Sequence, residues 1–273
     1  MKKVATVILN RNLPKVTDRL VDHIKLYDDE LTDIYVLEAG SDMDKLSSHT
    51  TWHANWKEAQ ENGLRYSRGM NYALKQLWDE SKFKEYDAFL LLTNDTELEA
   101  KTTISPLLKV MNEHPYVGIL SPCSHNWGER FLLKEKETKY FWFIHNNAYM
   151  LRREFIESIY NIDDDFKYFL FDGDNFRGYC SEHEIIAKAY ANDWAAAITN
   201  EVFASENESY LLNKADLIKT TSYEENLEAY VREGLQWLRK KYGFSSHWSM
   251  QLYSKTFYDL FFDLHPECEQ YKL

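Results

Sequence analysis

The chain has 273 residues, 44% of them hydrophobic, and its 32 Lys+Arg against 44 Asp+Glu give a net charge of −12. That length and apolar content suit one large domain, or one domain with an extension, and argue against intrinsic disorder. The sequence shows no basic footprint for nucleic acid and no long Lys/Arg run to grip anionic lipid, and no stretch approaches the ~18 uncharged apolar residues of a membrane span.

Met1-Lys2-Lys3 followed by Val4 to Leu9 imitates a signal peptide, but the apolar run is short and ends on Asn10-Arg11-Asn12 without a small-residue cleavage site. Val4 to Leu9 instead reads as a buried strand. Apolar residues at Val16, Leu20, Ile24 and Tyr27 predict a helix from Pro14 to Tyr27. Ile34 to Leu37 is a second buried strand, stopped by Gly40-Ser41. Arg68 to Trp78 has helical spacing, with Met70, Ala73, Leu74 and Leu77 on one side. Ala88 to Leu92 is a third strand, followed by a helix over Ile104 to Met111 and a strand over Val117 to Leu120 closed by Pro122. Strands alternating with helices predict an α/β fold, a mostly parallel central sheet flanked by helices.

The second half is less regular. Tyr140 to Leu151 reads as one long strand, Arg152 to Tyr160 as a helix, and Asp163 to Gly178 as an acidic, aromatic loop. A helix over Glu182 to Asn192 and a strand over Trp194 to Phe203 follow. Tyr223 to Tyr242 reads as an amphipathic helix, and aromatics at roughly helical spacing run on to Leu264. These patterns divide the chain into a domain over residues 1–210 and a helical C-terminal extension over 211–273, packed on the core and offering a possible homodimer surface. Cys123, Cys180 and Cys268 are too few and too scattered for a disulfide framework or a zinc site, and fit a cytoplasmic setting.

The first three strands end on polar groups: Asn10-Arg11-Asn12, Glu38-Ala39-Gly40-Ser41 and Asn94-Asp95-Thr96-Glu97. The carboxyl edge of an open α/β sheet is where ligands bind, and hard oxygen donors there suit Mg²⁺ or Mn²⁺ accompanied by a phosphate. No P-loop pattern occurs and no GxGxxG follows the first strand, which argues against an ordinary ATPase or GTPase and against a dinucleotide Rossmann site.

These segments resemble, in order and content, the family 2 inverting glycosyltransferases with the GT-A nucleotide-sugar fold, nearest the rhamnosyltransferase-like branch. The likeness covers about Val4 to Ser209. It rests on Asn10-Arg11-Asn12, on Glu38 to Ser41, and on Asn62-Gly63 with Arg68-Gly69-Met70-Asn71. Leu90 to Leu98 (LLLTNDTEL) is the most specific match. Asn146 to Phe155 (NNAYMLRREF), the Asp163-Asp164-Asp165 loop and Ser181-Glu182 complete it. The resemblance implies transfer of a hexose or deoxyhexose from a nucleotide diphosphate sugar to a hydroxyl acceptor, with inversion and with Mn²⁺ or Mg²⁺. It implies Asp95 as the metal ligand and Glu182 as the catalytic base. Asn10, Arg11, Asn12, Glu38, Arg68 and Asn94 would contact the donor. Three departures stand out: Thr93 replaces the usual first acid of the metal motif, Ser181 replaces a Glu, and no His follows the last strand, where Glu206 or His247 would have to serve. Glu184 and Asp174 are alternative bases, and His183 is expected to face solvent. The competing readings are a degenerate nucleotide- or sugar-binding domain and a sugar nucleotidyltransferase. The latter is disfavoured because Leu9 to Val16 holds no Gly.

Overall fold

The computed structural model describes residues 3–145, 147–162, 165–207 and 223–273. Asn146, Asp163, Asp164, Ser209 and the expected division at residue 210 lie outside them.

Four strands pair in parallel in the order β3-β2-β1-β4: β1 (Val4–Asn10), β2 (Thr32–Glu38), β3 (Thr50–His53) and β4 (Ala88–Thr93). β1 and β4 are almost wholly buried runs of Val, Ile, Leu and Ala, as strands covered by helices on both faces must be. Register then fixes what shares an edge: Asn10 lies beside Glu38, and Leu9 beside Thr93. The helix α1 (Pro14–Asp28) opens on Pro14, where a missing N–H costs nothing. After the short α2 (Lys57–Asn62), α3 (Arg65–Asp79) lies so close to β1 that a Cβ at Gly69 would stand 2.4 Å from Leu9 Cδ1.

The chain continues through β5 (Thr96–Leu98), α4 (Ile104–Glu113), β6 (Val117–Cys123), β7 (Thr138–Tyr140), β8 (Ala148–Arg152), α5 (Arg153–Ile159), α6 (Ser181–Ala191) and β9 (Ala195–Glu206). β8 inserts between β4 and β6, antiparallel to both, while β6 and β9 run parallel. β5 and β7 join β9 antiparallel. The α/β class holds, with a mixed sheet whose parallel pairing is confined to β3-β2-β1-β4 and β6-β9.

Two expected boundaries move. The aromatic stretch from Tyr140 to Leu151 is strand only at its ends, Tyr140 closing β7 and Ala148 to Leu151 lying in β8, and the Tyr149 hydroxyl donates to the Ile144 carbonyl at 2.7 Å. β6 runs through Pro122 to Cys123, and the register shift between those residues accommodates a proline that cannot donate to the ladder.

The helices α7 (Tyr223–Tyr242) and α8 (His247–Leu264) close the chain. α8 packs on α6, with the Tyr190 and Tyr258 rings 5.4 Å apart. α7 is tied down at its C-terminal end. Lys241 Nζ donates to Asp172 at 2.5 Å and to Glu184 at 2.7 Å, the Tyr242 hydroxyl donates to Glu184 at 2.6 Å, and Trp237 Nε1 donates to Asp172 at 3.0 Å. Among the described residues no helix is long and apolar enough to cross a membrane.

Glu184 is buried and accepts from both Lys241 and Tyr242. Glu184→Ala should cost about 1–2 kcal/mol, read as a lower urea midpoint, because it leaves the half-buried Tyr242 hydroxyl without its acceptor and Lys241 with Asp172 alone.

Candidate active site

The parallel register brings the ends of β1, β2 and β4 to one edge, where a pocket of about 370 Å³ opens. Leu9, Asn10 and Arg11 line it from β1, Ala39 from β2, and Thr93, Asn94 and Asp95 from β4. Gly63, Arg65 and Tyr66 contribute from the start of α3, and Asn226, Leu227 and Tyr230 from α7.

The edge is organised by a buried carboxylate. Glu38 is fully buried. One of its oxygens accepts from Asn10 Nδ2 at 2.8 Å and Ser41 Oγ at 2.5 Å. The other accepts from the Ser47 N–H at 2.8 Å and Thr50 Oγ1 at 2.9 Å. Asn10 Oδ1 passes the chain on, accepting from Asn94 Nδ2 at 2.8 Å. Glu38 was expected to touch the donor. Its oxygens are spent on four protein donors, so it fixes the shape of the strand ends. Asn12 is turned the same way: buried with φ 57°, its Oδ1 accepts from the Asp42 N–H and its own N–H donates to Ser41 Oγ.

Asp95 is different. Its Oδ1 is buried with no hydrogen-bond partner, and burial pushes its carboxyl above the ordinary value, against the Thr93 hydroxyl, which lowers it. Among the described residues no group of three or more His, Cys, Asp or Glu side chains is able to hold a metal ion. Glu97 is engaged by Asn207 Nδ2 at 2.6 Å, and neither Glu206 nor His247 joins Asp95 in such a group. One orphan carboxylate oxygen fits a divalent ion whose remaining ligands come from water and a bound phosphate, and does not fit an all-protein cage.

The cations also differ from expectation. Arg68 lies outside the pocket because it is consumed elsewhere: Nε donates to the Gly173 carbonyl at 2.8 Å, Nη1 pairs with Glu58 at 3.0 Å, and the guanidinium covers the Phe176 ring at 4.7 Å. Arg11 and Arg65 are the cations that line the pocket. Arg11 Nη2 donates to the Gln60 and Glu61 carbonyls at the end of α2, and burial lowers its pKa. Gly63 makes room for it, since a Cβ there would meet Arg11 Nη1 at 2.5 Å. Arg65 was missed because the helical pattern was taken to begin one turn later, at Arg68. The Asn62-Gly63 break just before it is the signal that would have found it.

Glu182 lies in the first turn of α6 and is not among the residues that line the pocket. His183 Nδ1 donates to its Oε1 at 3.1 Å, and its charge is felt by Tyr66 and Tyr230, raising their pKa values after burial, the larger cause. The alternative acids are committed elsewhere: Glu184 to Lys241 and Tyr242, and Asp174 to the Tyr168 hydroxyl at 2.8 Å. His183, expected at the surface, is 3% exposed, with its ring against Phe143 and its Nε2 buried without a partner. Asn12, Arg65 and Cys180 all adopt left-handed backbone at φ 57–58° beside these residues. Ser81, Lys136 and Asp193 adopt the same conformation without lining the pocket, so it does not by itself mark the site.

No protein-family model matches the sequence, and no curated protein matches it either. Solved structures do match. The mannosyltransferase PcManGT from Pyrobaculum calidifontis, in complex with GDP-Man and Mn²⁺, superposes with a TM-score of 0.54 at 11% identity, over 88% of this chain and 64% of that one. TarS 1–349 from S. aureus, in complex with UDP-GlcNAc, gives 0.51 at 15% identity, over 89% and 73%. GalNAc-T7 with UDP, GalNAc and Mn²⁺ gives 0.57 at 10% identity, over 99% and 59%. The chain thus spans about two thirds of the length of these proteins and shares their mixed α/β fold, a central sheet flanked by helices.

Two stability predictions follow from the carboxylates. Glu38→Gln turns an NH₂ group toward either Asn10 Nδ2 or the Ser47 N–H, both obligate donors, and should cost about 2 kcal/mol or more in urea unfolding. For Asp95 the sign is opposite. A carboxyl whose folded pKa is raised binds more protons folded than unfolded, so its cost grows as pH climbs past the ordinary 3.8 and is complete above the folded value. Asp95→Asn should therefore raise Tm at pH 7, and the gain should vanish near pH 3.

Proposed function

We propose that the chain is an inverting glycosyltransferase of the family 2 type, moving a hexose or deoxyhexose from a nucleotide diphosphate sugar to a hydroxyl acceptor. The observation that carries this reading is the convergence of three strand ends, two guanidinium groups and one orphan carboxylate oxygen on a single pocket. The shared fold supports it, since the matched structures hold GDP-Man, UDP-GlcNAc or UDP. In this reading residues 1–210 are the catalytic unit, and residues 211–273 are an extension that supplies one pocket wall. A cytoplasmic role in carbohydrate biosynthesis belongs to the same proposal.

The roles divide by chemistry. Asn10 and Asn94, locked to each other, present the floor on which the nucleotide lies. Asp95 would hold a divalent ion through its orphan oxygen, and such an ion would supply charge neutralisation at the diphosphate. Arg11 and Arg65 add positive charge where the leaving nucleoside diphosphate gathers negative charge. Glu182 receives the proton of the acceptor hydroxyl as its oxygen attacks the anomeric carbon from the face opposite the diphosphate, breaking the bond to the leaving phosphate oxygen and inverting the centre. His183 keeps the Glu182 carboxylate oriented through its Nδ1–H.

Thr93 and Ser181 favour a second reading, a nucleotide-sugar-binding domain without turnover. A panel of nucleotide sugars incubated with the full chain and Mn²⁺ separates the two by release of nucleoside diphosphate. The enzyme reading predicts turnover of one donor, lost in Asp95→Ala. It also predicts that Glu182→Gln lowers kcat by about 10²–10⁴ with donor affinity kept. Donor binding without release in the wild type would establish the second reading.

A further inference from the structure

The two pocket arginines are held in an unusual way. Neither Arg11 nor Arg65 forms an ion pair with a described residue. Arg11 spends its Nη2 on backbone carbonyls, and Arg65 Nη2 donates to Asn226 Oδ1 at 3.0 Å. The same amide oxygen accepts from Arg177 Nη1, so one neutral acceptor serves two cations. Arg177 is balanced by Glu233, 2.9 Å from its Nε. Arg65 has no such counterion among the described residues. Burial, then Arg177, then Arg11 push its pKa down to about 10, and only Glu233 pulls the other way. The Nε atoms of Arg11 and Arg65 are both buried without partners. Like charges gathered in a half-buried place repel one another, and an anion bound between them relieves that cost.

Asn226 comes from α7, whose Leu227 and Tyr230 line the same pocket. A carboxylate in its place would ion-pair with both guanidinium groups and cancel the charge. An amide makes the same hydrogen bonds and leaves the charge available.

We propose that Asn226 is a neutral bracket by which the C-terminal helix seats Arg65, beside Arg11, as a binding site for a diphosphate. The site rests on the reading of this pocket as a donor site. It adds that the extension belongs to the diphosphate-binding machinery, and that Asn226 positions the cation without touching the reacting atoms.

Asn226→Asp is nearly isosteric and tests the bracket through its neutrality. Calorimetric titration of the full chain with inorganic pyrophosphate and with UDP, without metal, is the readout. The bracket predicts that Asn226→Asp weakens pyrophosphate binding by about 10-fold or more while raising the Tm of the ligand-free protein, because it supplies a counterion to Arg65. Arg65→Gln should weaken pyrophosphate binding by a similar factor without raising Tm. Wild-type pyrophosphate affinity in a folded Asn226→Asp protein would overturn the bracket, even if a nucleotide sugar is turned over. Pyrophosphate binding lost in Asn226→Asp, with every nucleotide sugar silent, would uphold the bracket and remove the donor reading instead.

Discussion

A carboxylate taken out of water must be met by donors, and meeting Glu38 organises this edge of the protein. Its four partners come from the end of β1, the loop after β2 and the start of β3. Satisfying them fixes the Asn10 amide, which fixes Asn94, which sets the turn that presents Asp95. The parallel register places these groups at the same height, and the carboxylate locks their orientations. Asp95 gains a position it would not choose by itself, half-buried and with one buried oxygen unmatched. The stability spent there is recovered in the saturated network around Glu38.

The C-terminal helices extend the same logic. Asp172 and Glu184 are acids in a region where catalytic acids were sought, and both are consumed in anchoring Trp237, Lys241 and Tyr242. Their engagement holds α7 against the segment that precedes α6. With its far end fixed, α7 carries Asn226 and Tyr230 to the pocket. Acids that structure needs are paired, whereas Asp95 keeps an unmatched oxygen and Glu182 contacts only a histidine at its Oε1.

Much of the edge was legible because strands announce themselves. The buried runs of β1, β2 and β4 end on polar residues, and parallel α/β topology sends those ends to one place. What each side chain does there was less legible. Glu38 and Asn12 are polar residues at strand ends like Asn10, and only three-dimensional pairing shows that their capacity is spent inside the protein. Arg65 and Arg68 lie one helical turn apart. Arg65 starts the helix with left-handed backbone and lines the pocket, whereas Arg68 is claimed by Gly173, Glu58 and Phe176. His183 looked solvent-facing because its burial depends on Phe143, forty residues earlier in a stretch that read as continuous strand. Asn226 had no local signal: it sits among charged residues on an amphipathic helix, and its partner Arg65 lies 161 residues away.

The central claim is that a nucleoside diphosphate occupies the pocket at the ends of β1, β2 and β4, walled by α7. Hydrogen–deuterium exchange of the full chain, with and without UDP or GDP and Mn²⁺, locates the ligand directly. Protection confined to residues 9–12, 38–41, 63–66, 93–95 and 226–230 is the predicted result. A second cavity, bordered by Asp172, Asp174, Trp237 and Lys241, provides the contrast. Protection at that cavity, with the strand ends unchanged, would contradict the claim.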